Sequence, residues 1–182
     1  RNYIYGHASD NYKLTTGQLN LLSGFAAGED LTTGQKNVIL GAYSGSGGDS
    51  LQDCTIIGYS AGGAATGHDN VYIGREAGQG CTGIKNVAIG NYALDNASAQ
   101  DNAVAIGYLA GTLAQNDACT YVGYRAGQAL TTGQSCTFLG SDAATGGNNT
   151  ADNQTVIGAN AAAHGANTVV LGSAAVTSID SH

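Results

Sequence analysis

Asn86-Val87-Ala88-Ile89-Gly90 decides how this chain is read, because the unit does not occur once. The same short apolar run closed by glycine stands at Asn37-Val38-Ile39-Leu40-Gly41 and Asn70-Val71-Tyr72-Ile73-Gly74. It returns at Cys119-Thr120-Tyr121-Val122-Gly123 and Cys136-Thr137-Phe138-Leu139-Gly140. The closing glycines are Gly6, Gly24, Gly41, Gly58, Gly74, Gly90, Gly107, Gly123, Gly140, Gly158 and Gly172, at successive spacings of 18, 17, 17, 16, 16, 17, 16, 17, 18 and 14 residues. Such a near-constant spacing marks a repeat architecture, in which each unit buries its apolar surface only by stacking on the next.

The columns around the glycine carry the local structure. One residue before it stand Leu40, Ile57, Ile73, Ile89, Ile106, Val122, Leu139, Ile157 and Leu171; three before it stand Val38, Thr55, Val71, Val87, Val104, Thr120, Thr137, Thr155 and Val169. A strand alternates its faces with period two, so these two columns share a face, which is expected to point inward. Three residues after the glycine nothing larger than alanine occurs, from Ser9 and Ala27 to Ala161 and Ala175, as a thin coil interior requires. Further glycines (Gly28, Gly45, Gly62, Gly78, Gly111, Gly127) suit a second corner at positive φ. A third set, including Gly17, Gly34, Gly67, Gly83 and Gly133, marks a return turn. A repeat this short cannot hold a strand, a helix and two turns. The expectation is an all-β fold: a parallel β-solenoid of about eleven coils of 16–18 residues, forming a single domain over residues 1–182.

Between the two inward columns lies a third: Ile39, Ile56, Tyr72, Ala88, Ala105, Tyr121, Phe138 and Val156 in the central coils, with no charged or amide side chain in any copy. A wet strand face would carry polar residues there. These eight residues are therefore expected on an interface between copies of the chain, giving a homo-oligomer.

Composition narrows the function classes. The chain has 182 residues, 29 of them glycine, no proline, and only 10% charged side chains. Thirteen acids against six bases give a net charge of −7, which argues against a nucleic-acid partner. No run approaches the roughly 20 apolar residues of a membrane span, so no membrane insertion is expected. No basic segment precedes an apolar run, so no signal peptide is expected.

Asn70-Val71-Tyr72-Ile73-Gly74 with Ala77-Gly78, and its copies along the chain, resemble the head repeats of trimeric autotransporter adhesins and the related repeats of bacteriophage tail fibres. The Thr15-Thr16-Gly17, Thr32-Thr33-Gly34 and Thr131-Thr132-Gly133 returns, and the closing Asn167-Thr168-Val169-Val170-Leu171-Gly172-Ser173, look more like the fibre version. The coils are also longer than autotransporter head repeats. The resemblance implies a homotrimer of left-handed parallel β-rolls. It further implies a structural and adhesive segment of a virion tail fibre, extracellular, forming a rigid rod that contacts a host-surface polysaccharide or protein. The alternative within this class is the head of a bacterial trimeric autotransporter adhesin.

Cys54, Cys119 and Cys136 occupy the column four before the glycine, otherwise held by Asn20, Asn37, Asn70 and Asn86. Asparagine there is expected to bond adjoining backbone at the strand entry, and cysteine to replace it as a small buried residue. Stacked side chains run parallel, which disfavours a Cys119–Cys136 disulfide, and free thiols are expected. His7, His68, His164 and His182 are scattered, no catalytic or metal motif is present, and neither an enzyme nor a cofactor or metal is expected. Thr-rich solenoids can bind ice, but the threonine column of Thr16, Thr33, Thr66 and Thr82 breaks at Ala99 and Gln115. The position after the glycine holds Phe25, Tyr59, Tyr108 and Tyr124, with Arg75 between them and Arg125 beside Tyr124. Exposed aromatic rings beside charged groups suit sugars, since the ring stacks and its neighbours bond hydroxyls. Rings packed on neighbouring chains or on their own loops are the competing expectation.

Overall fold

Three residues directly before each repeat glycine form a strand, and the strands stack without a crossover. A computed structural model describes residues 1–6, 13–115, 117–144 and 150–176. His7, His182 and the longer return at Gly146-Gly147-Asn148-Asn149 lie outside the described residues. The strands are β1 (Tyr3–Tyr5), β2 (Leu21–Ser23), β3 (Val38–Leu40), β4 (Thr55–Ile57), β5 (Val71–Ile73), β6 (Val87–Ile89), β7 (Val104–Ile106), β8 (Thr120–Val122), β9 (Thr137–Leu139), β10 (Thr155–Ile157) and β11 (Val169–Leu171). They form one parallel sheet in chain order. Pairing keeps like columns together: Val87 faces Val104, Ala88 faces Ala105 and Ile89 faces Ile106. The fold is an all-β parallel β-solenoid, with no helix among the described residues. Eleven strands at about 4.8 Å per step make a sheet roughly 48 Å long.

Each coil bonds its neighbours on both sides. Val87 N–H donates to the Ala103 carbonyl at 2.8 Å, and Gly90 N–H to the Ile73 carbonyl at 2.8 Å. The strand-closing glycine is required on two counts. Gly107 has φ +138°, a region that side chains other than glycine rarely enter. A Cβ there would also lie 2.7 Å from the carbonyl carbon of Gly123 in the next coil. Gly107→Ala is therefore expected to destabilise the chain by about 3–5 kcal/mol, from backbone strain plus overlap. A chemical-denaturation midpoint unchanged by this substitution would show that the corner relaxes freely.

The asparagine column behaves as expected, and it settles the geometry of the strand. The Asn20 carboxamide oxygen accepts from Asn37 N–H at 3.0 Å and from Asn37 Nδ2 at 3.0 Å. Asn37 Nδ2 also donates to the Leu51 carbonyl at 2.7 Å. Further along, Asn70 Oδ1 accepts from Asn86 N–H at 2.8 Å, and Asn86 Oδ1 from Ala103 N–H at 2.9 Å. Each buried amide thus satisfies a backbone group of the adjacent coil. Cysteine fills the same slot: Cys136 N–H donates to Cys119 Sγ at 3.2 Å. All four cysteines are buried free thiols. Burial pushes the Cys54 and Cys81 thiols up. In the Cys119–Cys136 pair, the Cys119 thiol supports a thiolate on Cys136 and draws that group down, while Cys119 is raised by the same contact and by burial.

This arrangement reverses which strand face is inside. Ile39, Ile56, Tyr72, Ala88, Ala105, Tyr121, Phe138 and Val156, expected between copies, are fully buried within their own chain. The columns expected inside point outward instead: Ile89 is 36% exposed, Ile106 39% and Leu139 44%. The cause is parity. The asparagine column lies four residues before the glycine and the Ile39–Val156 column two before, so both share one face. Asparagine turns inward to reach the next coil's backbone, and it carries the second column in with it. The β-branched residues three before the glycine, Val38 to Val169, favour strands on either face, so they do not report which face is buried.

The interior is narrow and filled by complementary sizes. Opposite the strand lie the small residues Ala27, Ser44, Ala61, Ala77, Ala93, Ala110, Ala126 and Ala143, all fully buried. Just beyond them, glycine makes room for the large strand residues. A Cβ on Gly62 would lie 3.0 Å from Ile56 Cδ1 and 3.1 Å from Tyr72 Cδ2. In the coil where the strand offers only Ala88, that glycine is replaced by Leu94, fully buried and held at φ +50°. Leu94 takes the volume that Ala88 leaves, which keeps the packing dense.

Candidate functional site

Two features of the surface are built by the repeat itself. The first is the outward face of the sheet. Its two columns run from Tyr3 and Tyr5 to Val169 and Leu171 and carry no charged side chain. In the central coils they consist of Val or Thr in one column and Leu, Ile or Val in the other. Stacking in register joins these side chains into one continuous uncharged strip, mostly apolar, with the hydroxyls of Thr55, Thr120, Thr137 and Thr155 set into one column.

The second is a row of rings at the corner past the strand. The glycine at φ near +130° turns the chain, and the second residue after it takes φ of about +50 to +60° in each central coil. This double bend throws one long side chain per coil to the outside. The row runs Phe25, Tyr43, Tyr59, Arg75, Tyr92, Tyr108, Tyr124. Centroids lie 5.3 Å apart for Phe25–Tyr43, 5.9 Å for Tyr43–Tyr59, 6.0 Å for Tyr92–Tyr108 and 5.6 Å for Tyr108–Tyr124. Arg75 bridges the two halves, its guanidinium 5.8 Å from the Tyr59 ring and 5.5 Å from the Tyr92 ring. Arg125 sits 5.8 Å from the Tyr124 ring. Aromatic and cation–π pairs of this kind each contribute about 0.5–1.5 kcal/mol. The rings nevertheless stay open to solvent: Tyr59 is 51% exposed and Tyr124 48%.

The structure thus brings five of the six sequence-derived candidates, Phe25, Tyr59, Arg75, Tyr108 and Tyr124, onto one line, with the sixth, Arg125, beside Tyr124. It adds Tyr43 and Tyr92, which the sequence reading missed because they stand one residue later in their coils. The signal was present: Ala42 and Asn91 leave the expected position without a ring, and a tyrosine follows each at once. Both corner positions project to the same side, so the shift does not break the row.

The cations Lys13, Arg75 and Arg125 on this side are paired. Arg75 Nε bonds Glu76 Oε1 at 2.9 Å, and Arg125 Nη1 lies 3.3 Å from Asp142 Oδ1. Lys13 pairs with Asp30, whose carboxyl it holds below the usual range. An open groove of about 560 Å³ shares Tyr43 with the row and is lined by the polar side chains of Glu29, Asp30, Ser46, Ser60, Gln79 and Asn96 together with glycines and Ala64. Elsewhere His68 Nδ1 meets Asp69 Oδ2 at 2.8 Å in an exposed return. Among the described residues, no three His, Cys, Asp or Glu side chains come together in a way that would hold a metal ion. No protein-family model, curated protein or solved structure matches the chain.

Proposed function

We propose that this chain is a structural and adhesive fibre segment of the bacteriophage tail-fibre kind, in which three copies meet through the outward face of the sheet. The observation that carries the reading is the uncharged, largely apolar strip along all eleven strands. At roughly 25 cal/mol per Å², even about 50 Å² covered per strand amounts to some 14 kcal/mol per chain before association costs. Parallel rods closing around an axis cover the strip along its whole length, which a short contact between two corners does not. The corner rings lie past the strand, off the two outward columns, and supply the adhesive surface. The repeat resemblance supports three as the number of copies.

Sedimentation equilibrium tests this directly. The expected mass is about three times the 18.1 kDa of one chain. A monomer that stays soluble with the strip uncovered would overturn the proposal.

A further inference from the structure

We infer that the corner row and its groove form an extended binding site for a neutral, linear polysaccharide lying parallel to the rod axis. This rests on the adhesive half of the function proposed above and not on the number of copies. Four observations carry it.

The first is periodicity. One ring or guanidinium per coil recurs with the coil rise of about 4.8 Å, and centroids lie 5.3 to 6.0 Å apart where two rings meet. An extended chain of pyranoses advances by a similar distance per sugar and would meet the rings alternately on a face and on an edge, since Phe25–Tyr43, Tyr43–Tyr59 and Tyr92–Tyr108 are edge-to-face and Tyr108–Tyr124 is parallel. A globular protein partner has no such repeat. The second is exposure: Phe25, Tyr43, Tyr59, Tyr108 and Tyr124 are held by ring contacts yet stay exposed, and Tyr92 is half-buried, so ring surface is available for stacking. The third is the groove beside Tyr43. Ser46, Ser60, Gln79 and Asn96 line it with hydroxyl and amide groups, both donors and acceptors, and Glu29 and Asp30 with carboxylates that accept from sugar hydroxyls. The fourth is charge. Arg75 is engaged by Glu76, Arg125 by Asp142 and Lys13 by Asp30, on a chain of net charge −7. The cations on this side are already neutralised, and a polyanionic glycan would meet net repulsion.

The site differs from a pocket in one measurable way. Affinity should climb with oligosaccharide length, because each added sugar reaches another ring, and a monosaccharide should bind negligibly.

The test is affinity electrophoresis of the full chain in native gels containing hydroxyethylcellulose, galactomannan or dextran, with heparin as the polyanion. Retardation is expected in at least one neutral gel and not with heparin. The Tyr108→Ala/Tyr124→Ala variant is expected to weaken that retardation about tenfold, for the loss of two stacking rings. Gln79→Ala/Asn96→Ala should weaken it less. Both variants should keep the sedimentation mass of the parent chain. Retardation by none of the neutral polymers, or stronger retention by heparin, overturns the inference. So does a changed mass for the tyrosine variant, which would make the row a contact between copies. A monomeric parent chain that still binds the neutral polymer would overturn the trimer and leave this site standing.

Discussion

Replacing Ala105 by lysine is expected to abolish folding of the central coils. Ala105 is fully buried, stacked in register between Ala88 and Tyr121. Gly111 closes the space around it: even a Cβ on that glycine would lie 2.8 Å from Tyr121 and 2.9 Å from Leu94. A lysine side chain at Ala105 would enter a fully buried coil interior of alanine, leucine, tyrosine and thiol groups with the neutral amides of Asn86 and Gln100, none of which balances an ammonium charge. Burying an unpaired ammonium costs several kcal/mol at least, a large part of the stability of an ordinary domain. Because each coil touches only its neighbours, the loss uncouples the two halves of the rod. Circular dichroism should show loss of the β signal or a melting temperature lowered by more than about 15 °C. An unchanged melting curve would mean that this column faces outward after all.

The complementary change is expected to leave the coil and remove the assembly. Ile89 and Ile106 are neighbours on the outward strip, each more than one-third exposed in the isolated chain. Ile89→Asp with Ile106→Asp places carboxylates where water still reaches them in a single rod, so each chain keeps its packing and its β signal. In a trimer the same substitution brings six carboxylates toward one axis, where removal from water and mutual repulsion both oppose association. The mass should fall from about three chains to one, with the far-ultraviolet spectrum retained. If the doubly substituted chain unfolds as a monomer, the strip is part of the coil's own core. If it stays trimeric, the copies meet elsewhere. Taken with Ala105→Lys, the pair separates folding from assembly column by column.

The contrast between these two columns shows what the residues alone could convey. Period, strand position, parallel stacking and the small-residue layer were legible, because they rest on spacing and on the size limit at Ala27, Ala61 and their counterparts. The role of Asn37 and Asn86 was legible too, since a small polar residue at a fixed strand entry has few partners but backbone. The face of the strand was misread from residue type. Val87 and Ile89 are good strand formers on either face, whereas Ala88 and Asn86 report the interior. Two cues could have corrected it. Asn86 and Ala88 share parity, and a bonded asparagine ladder can only be inside. The second cue is the exchange of sizes across the coil: glycine at Gly78 and Gly127 accompanies Tyr72 and Tyr121, while Leu94 accompanies Ala88. Only residues that touch across one interior trade volume in this way. The corner row was half legible, since Tyr43 and Tyr92 stand out of column and join it only through the backbone bend.

The way consecutive coils are joined also sets how the rod carries load. Hydrogen bonds such as Gly90 N–H to Ile73 and Val87 N–H to Ala103 link each turn only to the ones above and below it. Tension applied end to end therefore acts on the turns in series, and the weakest one yields first. A released turn of about 17 residues pays out some 55–60 Å of extended chain, in place of a rise near 5 Å. Stretching one chain in an optical trap should give a train of small, evenly spaced extensions instead of a single rupture. A filament tethered to a moving surface and built this way would give ground in increments, dissipating a sudden pull while most of its length remains folded.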